Sequence, residues 1–345
     1  MNRDFIRPDG VPFWQFLKNK KISYSKADFP FLTATTIPAV KPVFDFYEFM
    51  TLESRGEALA YLYKGMGRSL NYVGPVLDTE LPHGFNDHTD RHTLWVSERV
   101  MELLQRAGTA YDGRDYYTGE TEVLATLVGM LHDVGNLLGR EEHSGASMWL
   151  LDRLFMQRQR QRQAWQAVKY AIEYHEEPTL KRHQLALKEG IPLQWALVLA
   201  DKMHVGRDRI GGRSFKDGIK KRAFDDLHIL LECLIVRSTW CIAAGKFVWF
   251  LDFSVDTLQD KFEAFTKGRG RIWVPPKIQT RFINQGTKYR ETFREMFLAT
   301  YGPRVRMAAE AAGLLFPFLQ GFEVRLSDTD TRGKVGNGEL VVWQN

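Results

Sequence analysis

The chain has 345 residues, 44% hydrophobic and 26% charged, which suffices for the core of one large globular domain or two. Its net charge of +5 is a mild basic excess that suits an anionic partner but gives little reason to expect nucleic acid. No apolar run approaches the roughly 20 residues of a spanning helix.

Met1 to Ile6 lacks the apolar run of a secretion signal, and Cys233 and Cys241 are too few for a disulfide framework. These features predict a cytoplasmic, reduced protein without a membrane partner. Met1 to Asp45 is rich in Pro, Lys and aromatic residues and reads as an extended arm packed by Phe13-Trp14 and Phe29-Pro30-Phe31; the alternative is a peptide that docks on a partner subunit. Phe44 to Tyr72 reads as one or two helices with Phe49, Leu52, Ala58, Leu62 and Met66 inward, and Leu77 to Asp90 as a loop.

From Asp90 to His204 the apolar period is helical almost throughout. His92 shares a face with Val96, Val100, Leu103 and Ala107. Thr121 to Leu131 carries a stripe of Leu124, Leu127, Val128 and Leu131, ending at His132-Asp133-Val134-Gly135. Gly135 is read as the left-handed residue closing that helix. The Arg/Gln alternation from Gln157 to Gln163 is read as solvated surface. His175 closes a stripe of Trp165, Val168 and Ile172, and Asp201 sits beside Leu197 and Ala200 on a helix begun by Pro192. A polar stretch with Arg207, Arg209, Arg213, Lys216 and Lys220 follows.

Beyond it, Arg222 to Thr239 reads as helix and Lys246 to Asp256 as a strand. Helices are predicted at Leu258 to Phe265, Tyr289 to Tyr301 and Val305 to Leu315. A second strand is expected over Phe316 to Leu326 and a short one at Leu340 to Trp343. The C-terminal portion is therefore α+β with a small sheet, its boundary near Gly212 to Arg222. No internal repeat is present.

His132-Asp133 alone is as consistent with a cap or a local hydrogen bond as with chemistry. The pair gains meaning from its company: His92, His143, His175 and Asp201 also sit on or beside apolar helix faces. A buried ionisable group is costly unless paired or metal-bound, and several from different helices suggest one shared partner. Imidazole and carboxylate are common donors to transition metals.

The ordered set His92, His132-Asp133, Asp201 resembles the HD-domain metal-dependent phosphohydrolases, over roughly Leu81 to Gly212. His143 and His175 resemble the additional histidines of the subset that holds two metals, which includes cyclic-dinucleotide phosphodiesterases and hydrolases of diadenosine tetraphosphate. Glu176-Glu177-Pro178 departs from the HD-GYP signatures, and Asn136 stands where many members have lysine. The resemblance implies a mainly α protein, an HD-domain helical bundle with the C-terminal α+β portion attached. Three regions follow: an N-terminal arm with its helices (1–75), the metal-binding helical domain (76–221) and the α+β portion (222–345).

Under this reading His92, His132, Asp133, His143, His175 and Asp201 hold two divalent ions, with Asp133 as the bridge. A nitrogen-rich shell favours Fe, Mn, Zn or Co over Mg. The expected activity is hydrolysis of a phosphate ester, a nucleotide or related mono- or diester, by metal-activated hydroxide. Lys202 and Arg207 are the cations nearest Asp201 and the candidates for holding phosphate. His88 or Asp90 is placed to protonate the leaving oxygen, although Asp90 also fits an N-cap and His88 a loop residue. The partner is then a phosphorylated small molecule, and a homo-oligomer is compatible. Two other functions fit the same ligands: a di-iron oxygenase of the HD type, or a metal-binding sensor or scaffold without catalysis.

Overall fold

The computed structural model describes residues 90–110, 119–133, 135, 143–145, 147–148, 163–176, 191–210, 231–232, 235–253, 289–329 and 335–344. The arm, the helices expected over Phe44 to Tyr72, His88, the run 157–162, the cations Arg213, Lys216 and Lys220, the helix expected at Leu258 to Phe265 and the boundary near Gly212 lie outside those residues. The chain divides between Ala200 and Asp201 into two compact units.

The first unit is helical among its described residues. Helix α1 spans Asp90–Ala110, α2 Gly119–Leu131, α3 Gln163–Glu173, and α4 begins at Ile191 and ends at Met203. Helix α1 is amphipathic, burying Val96, Val100, Leu103 and Ala107 at helical spacing while Gln105 and Arg106 are exposed. By contrast, α2 is apolar on nearly every side from Ala125 to Leu131, as befits a central helix. It packs on α1 and on α3, which contributes Val168, Ala171 and Ile172. Each fully buried Val, Leu or Ile in this group contributes about 1.5–3 kcal/mol.

The crossing of α1 and α2 is close because Gly129 lies against Ser97. A Cβ on Gly129 would stand 2.5 Å from the Ser97 backbone nitrogen and Cα. Ser97 Oγ donates to Thr93 O within its own helix (2.8 Å) and also lies 3.2 Å from Thr126 O on α2. His92 and His132 both flank this crossing.

The second unit holds a four-stranded sheet in the order β1-β2-β3-β4: β1 Ile235–Ala243, β2 Lys246–Phe253, β3 Gly321–Thr329 and β4 Val335–Gln344. β1–β2 and β3–β4 are antiparallel and β2–β3 parallel, with helix α5 (Tyr289–Leu315) in the crossover. The expected C-terminal α+β portion with a small sheet is therefore present. Phe247, Trp249, Leu251, Phe322, Val324 and Leu326 form its core with Phe297, Tyr301 and Phe316.

Three element assignments need correction. Residues 235–239, expected to be helical, are strand: Ile235, Val236 and Thr239 are β-branched, and the turn at Ala244-Gly245 has positive φ at both residues (49° and 73°), as a tight hairpin requires. Tyr289 to Leu315 is one helix rather than two. Pro303 lies inside it on the exposed side, while Phe297, Tyr301, Val305, Ala308, Ala312 and Leu315 form a continuous buried face across the proline. Finally, the second strand starts at Gly321, because Phe316 closes α5 by donating to Ala312 O (2.8 Å) and a turn follows. No described helix is long and apolar enough to cross a membrane.

Candidate metal centre

Asp133 is the hub of a buried cluster in the first unit. His132 continues the hydrogen bonding of α2, its N–H reaching Val128 O at 3.0 Å, so the His-Asp pair occupies the turn that ends the helix. His92 arrives from α1, His143 from a helical turn at 143–145, and His175 from the turn after α3. All four histidines and Asp133 are at most 7% exposed.

The two oxygens of Asp133 face different partners. Oδ2 lies 3.3 Å from both His92 Nε2 and His132 Nε2, which are 3.2 Å from each other. Oδ1 lies 3.1 Å from His143 Nε2 and 4.0 Å from His175 Nε2. Two triads result, His92-His132-Asp133 and Asp133-His143-His175, each with its ligand atoms within 4.8 Å of one another.

The donor chemistry fits cations. His132 Nδ1 donates to Gly129 O at 2.8 Å and His175 Nδ1 to Ile172 O at 2.7 Å. A carbonyl only accepts, so Nδ1 carries the proton and Nε2 of each neutral ring is a bare lone pair. His143 Nδ1 faces the exposed carboxylate of Glu176 at 3.3 Å, which sets its ring the same way. Nε2 of His132, His143 and His175 thus turns toward the Asp133 carboxylate. Ligands at about 2.0–2.1 Å on a tetrahedral ion stand about 3.3 Å apart, close to the 3.2–3.3 Å separations of the first triad. The second triad is wider.

Gly135 and Ser147 hold the turn. Gly135 N donates to Ser147 Oγ (2.7 Å), which donates in turn to His132 O (2.8 Å). Gly135 does not serve as a left-handed cap: the described glycines with positive φ are Gly206 and Gly245. It is needed because a Cβ would stand 1.9 Å from His143 O and 2.3 Å from Ser147 N.

Five of the six ligands read from sequence therefore meet around Asp133. Asp201 belongs to the second unit, where its Oδ2 accepts from Lys202 Nζ at 2.7 Å; both residues are buried. Arg207, in the 3-10 turn Arg207–Ile210, is exposed. Nothing in the sequence points to the roles of Ser147, of Glu176 toward His143 or of the Ser97–Gly129 crossing, beyond Glu176 being an acid directly following a candidate ligand. Comparison of the chain with protein-family models, with curated proteins and with solved structures found no match.

Proposed function

We propose that the protein is a metal-dependent phosphohydrolase of the HD type, cleaving a phosphate ester of a nucleotide or related small molecule. The observation that carries this reading is Asp133, whose two oxygens each face their own pair of histidines. A carboxylate so placed can bridge two ions, with His92 and His132 on one and His143 and His175 on the other. Two divalent ions held there would supply an acidified water and neutralise charge on a phosphoryl group. The chain's own contribution is rigidity: the backbone carbonyls of Gly129 and Ile172 fix two imidazoles, and the Gly135–Ser147 clamp fixes the Asp133 turn. Burial of all five side chains limits water around the reacting groups.

By the resemblance, Asp201 would be a sixth ligand and Lys202 and Arg207 the cations that hold phosphate; all three belong to the second unit. Arg207→Ala is then expected to raise KM or lower kcat with metal content unchanged. The nitrogen-rich shell favours Fe, Mn, Zn or Co over Mg. The test is metal analysis of anaerobically purified protein, followed by a phosphoester panel with and without chelator. Hydrolysis that chelator stops and Mn or Fe restores is expected. Oxygen uptake with a polyol or phosphonate, and no phosphoester cleavage under reducing conditions, would replace the hydrolase with an oxygenase. Bound metal with neither activity would leave a sensor.

A further inference from the structure

The second unit contains a buried cation with an unmatched edge. Arg209 is 1% exposed, although it belongs to a polar stretch with five cations. Its backbone N–H donates to Gly206 O at 3.0 Å, and Gly206, at φ 147°, takes a conformation open to glycine. Nη1 of the side chain donates to His204 O at 3.0 Å. Nε and Nη2 are also buried and, among the described residues, have no hydrogen-bond partner.

Those two groups are not a random pair. The N–H bonds of Nε and Nη2 run parallel along one edge of the guanidinium, the edge that takes two oxygens of a phosphate or carboxylate at once. The third nitrogen, Nη1, donates to His204 O and so sets the plane of the group. The segment carrying it is fixed in turn, since Ser238 Oγ on β1 donates to Met203 O (2.7 Å) and receives Trp249 Nε1 from β2 (2.8 Å). A permanently charged side chain out of water with two idle donors is strongly unfavourable. The neighbouring cations differ: Lys202 is paired with Asp201, and Arg207 is exposed to water.

We infer that Arg209 is an oxyanion site, its Nε–Nη2 edge gripping two oxygens of a phosphate or carboxylate group enclosed with it. A preoriented donor pair loses little freedom on binding, so the site would hold its anion firmly. This site belongs to the second unit and does not depend on the proposed hydrolase activity.

The experiment uses the full chain in chelator, so that no metal-bound phosphate contributes. Protein exchanged into anion-poor buffer is denatured and the released phosphate and carboxylates are counted by ion chromatography. A second portion is titrated with inorganic phosphate or acetate while thermal stability is followed. Expected is about one anion released per chain, or a Tm that climbs with the logarithm of one anion's concentration. The anion that is released or stabilises identifies the source. Arg209→Gln should weaken that binding at least about tenfold, and Arg209→Lys, which keeps the charge but loses the fork, should fall between. Wild-type protein that releases no anion and gains no stability from either would overturn the inference without any variant. Equal binding by Arg209→Gln would overturn it too, assigning the anion elsewhere.

Discussion

Replacing Gly135 by Ala tests the support of the metal centre without touching a ligand. The added Cβ would stand 1.9 Å from His143 O and 2.3 Å from Ser147 N, against 3.4 Å for ordinary contact. Both obstacles are backbone, so no rotamer change relieves them, and the 143–147 segment must retreat by about 1.5 Å. Metal–ligand bonds of about 2.0–2.2 Å tolerate only a few tenths of that. His143 would leave its triad, and the Gly135 N–Ser147 Oγ–His132 O chain would be strained with it. Overpacking of this kind costs about 1–3 kcal/mol in stability. Metal per chain and calorimetric Tm are the readouts: loss of one ion and a lower Tm are expected. Gly145→Ala is the control, since a Cβ there meets nothing within 4 Å. Gly135→Ala with its full metal complement and unchanged Tm would refute the reasoning.

Gly129→Ala should also be damaging, because its Cβ would push α1 from α2 at Ser97 and shift His92 relative to His132; a fall in Tm and in metal content together checks this. Glu176→Gln should weaken the His143–His175 ion about 10–100-fold and leave the His92–His132 ion unaffected, as measured by competition with a chelator. Asp133→Ala should remove both ions and all phosphoester cleavage while circular dichroism stays helical, since the buried stripes of α1, α2 and α3 are untouched. In the sheet, hydrogen bonds from Lys246 and Arg325 hold the Glu323 carboxyl below its ordinary range. A lowered folded-state pKa gives stability that is present above the unfolded value of about 4.3 and lost as pH falls through the folded value. The stability gap between wild type and Glu323→Gln should therefore be widest near neutral pH and shrink in acid, as urea unfolding at several pH values would show.

The parts of this molecule legible in sequence are those written as periodic patterns. His92 was placed by the face it shares with Val96, Val100 and Leu103, and that face is buried. His132-Asp133 stood out as polar residues ending an apolar run, and α2 does end there. Close backbone approach leaves no such pattern. Gly135 looked like a helix cap, whereas its role is to admit His143 O and Ser147 N from a segment eight to twelve residues on. The helix misread over 235–239 followed from extending the leucine stripe of Leu227, Leu230, Leu231 and Leu234 into residues whose β-branching favoured a strand. The two helices expected over Tyr289 to Tyr301 and Val305 to Leu315 are one, because a buried face runs unbroken past Pro303. Arg209 was indistinguishable from Arg207 by composition; one is buried and the other exposed.

The central claim is that Asp133 bridges two ions. Anomalous diffraction from crystals of anaerobically purified protein, collected at the edge of the metal found by elemental analysis, measures it most directly. Two peaks about 3.5–4 Å apart are predicted, one between Asp133 Oδ2, His92 and His132 and the other beside Oδ1, His143 and His175. A single peak, or density that leaves either oxygen of Asp133 without an ion, would contradict the two-metal account.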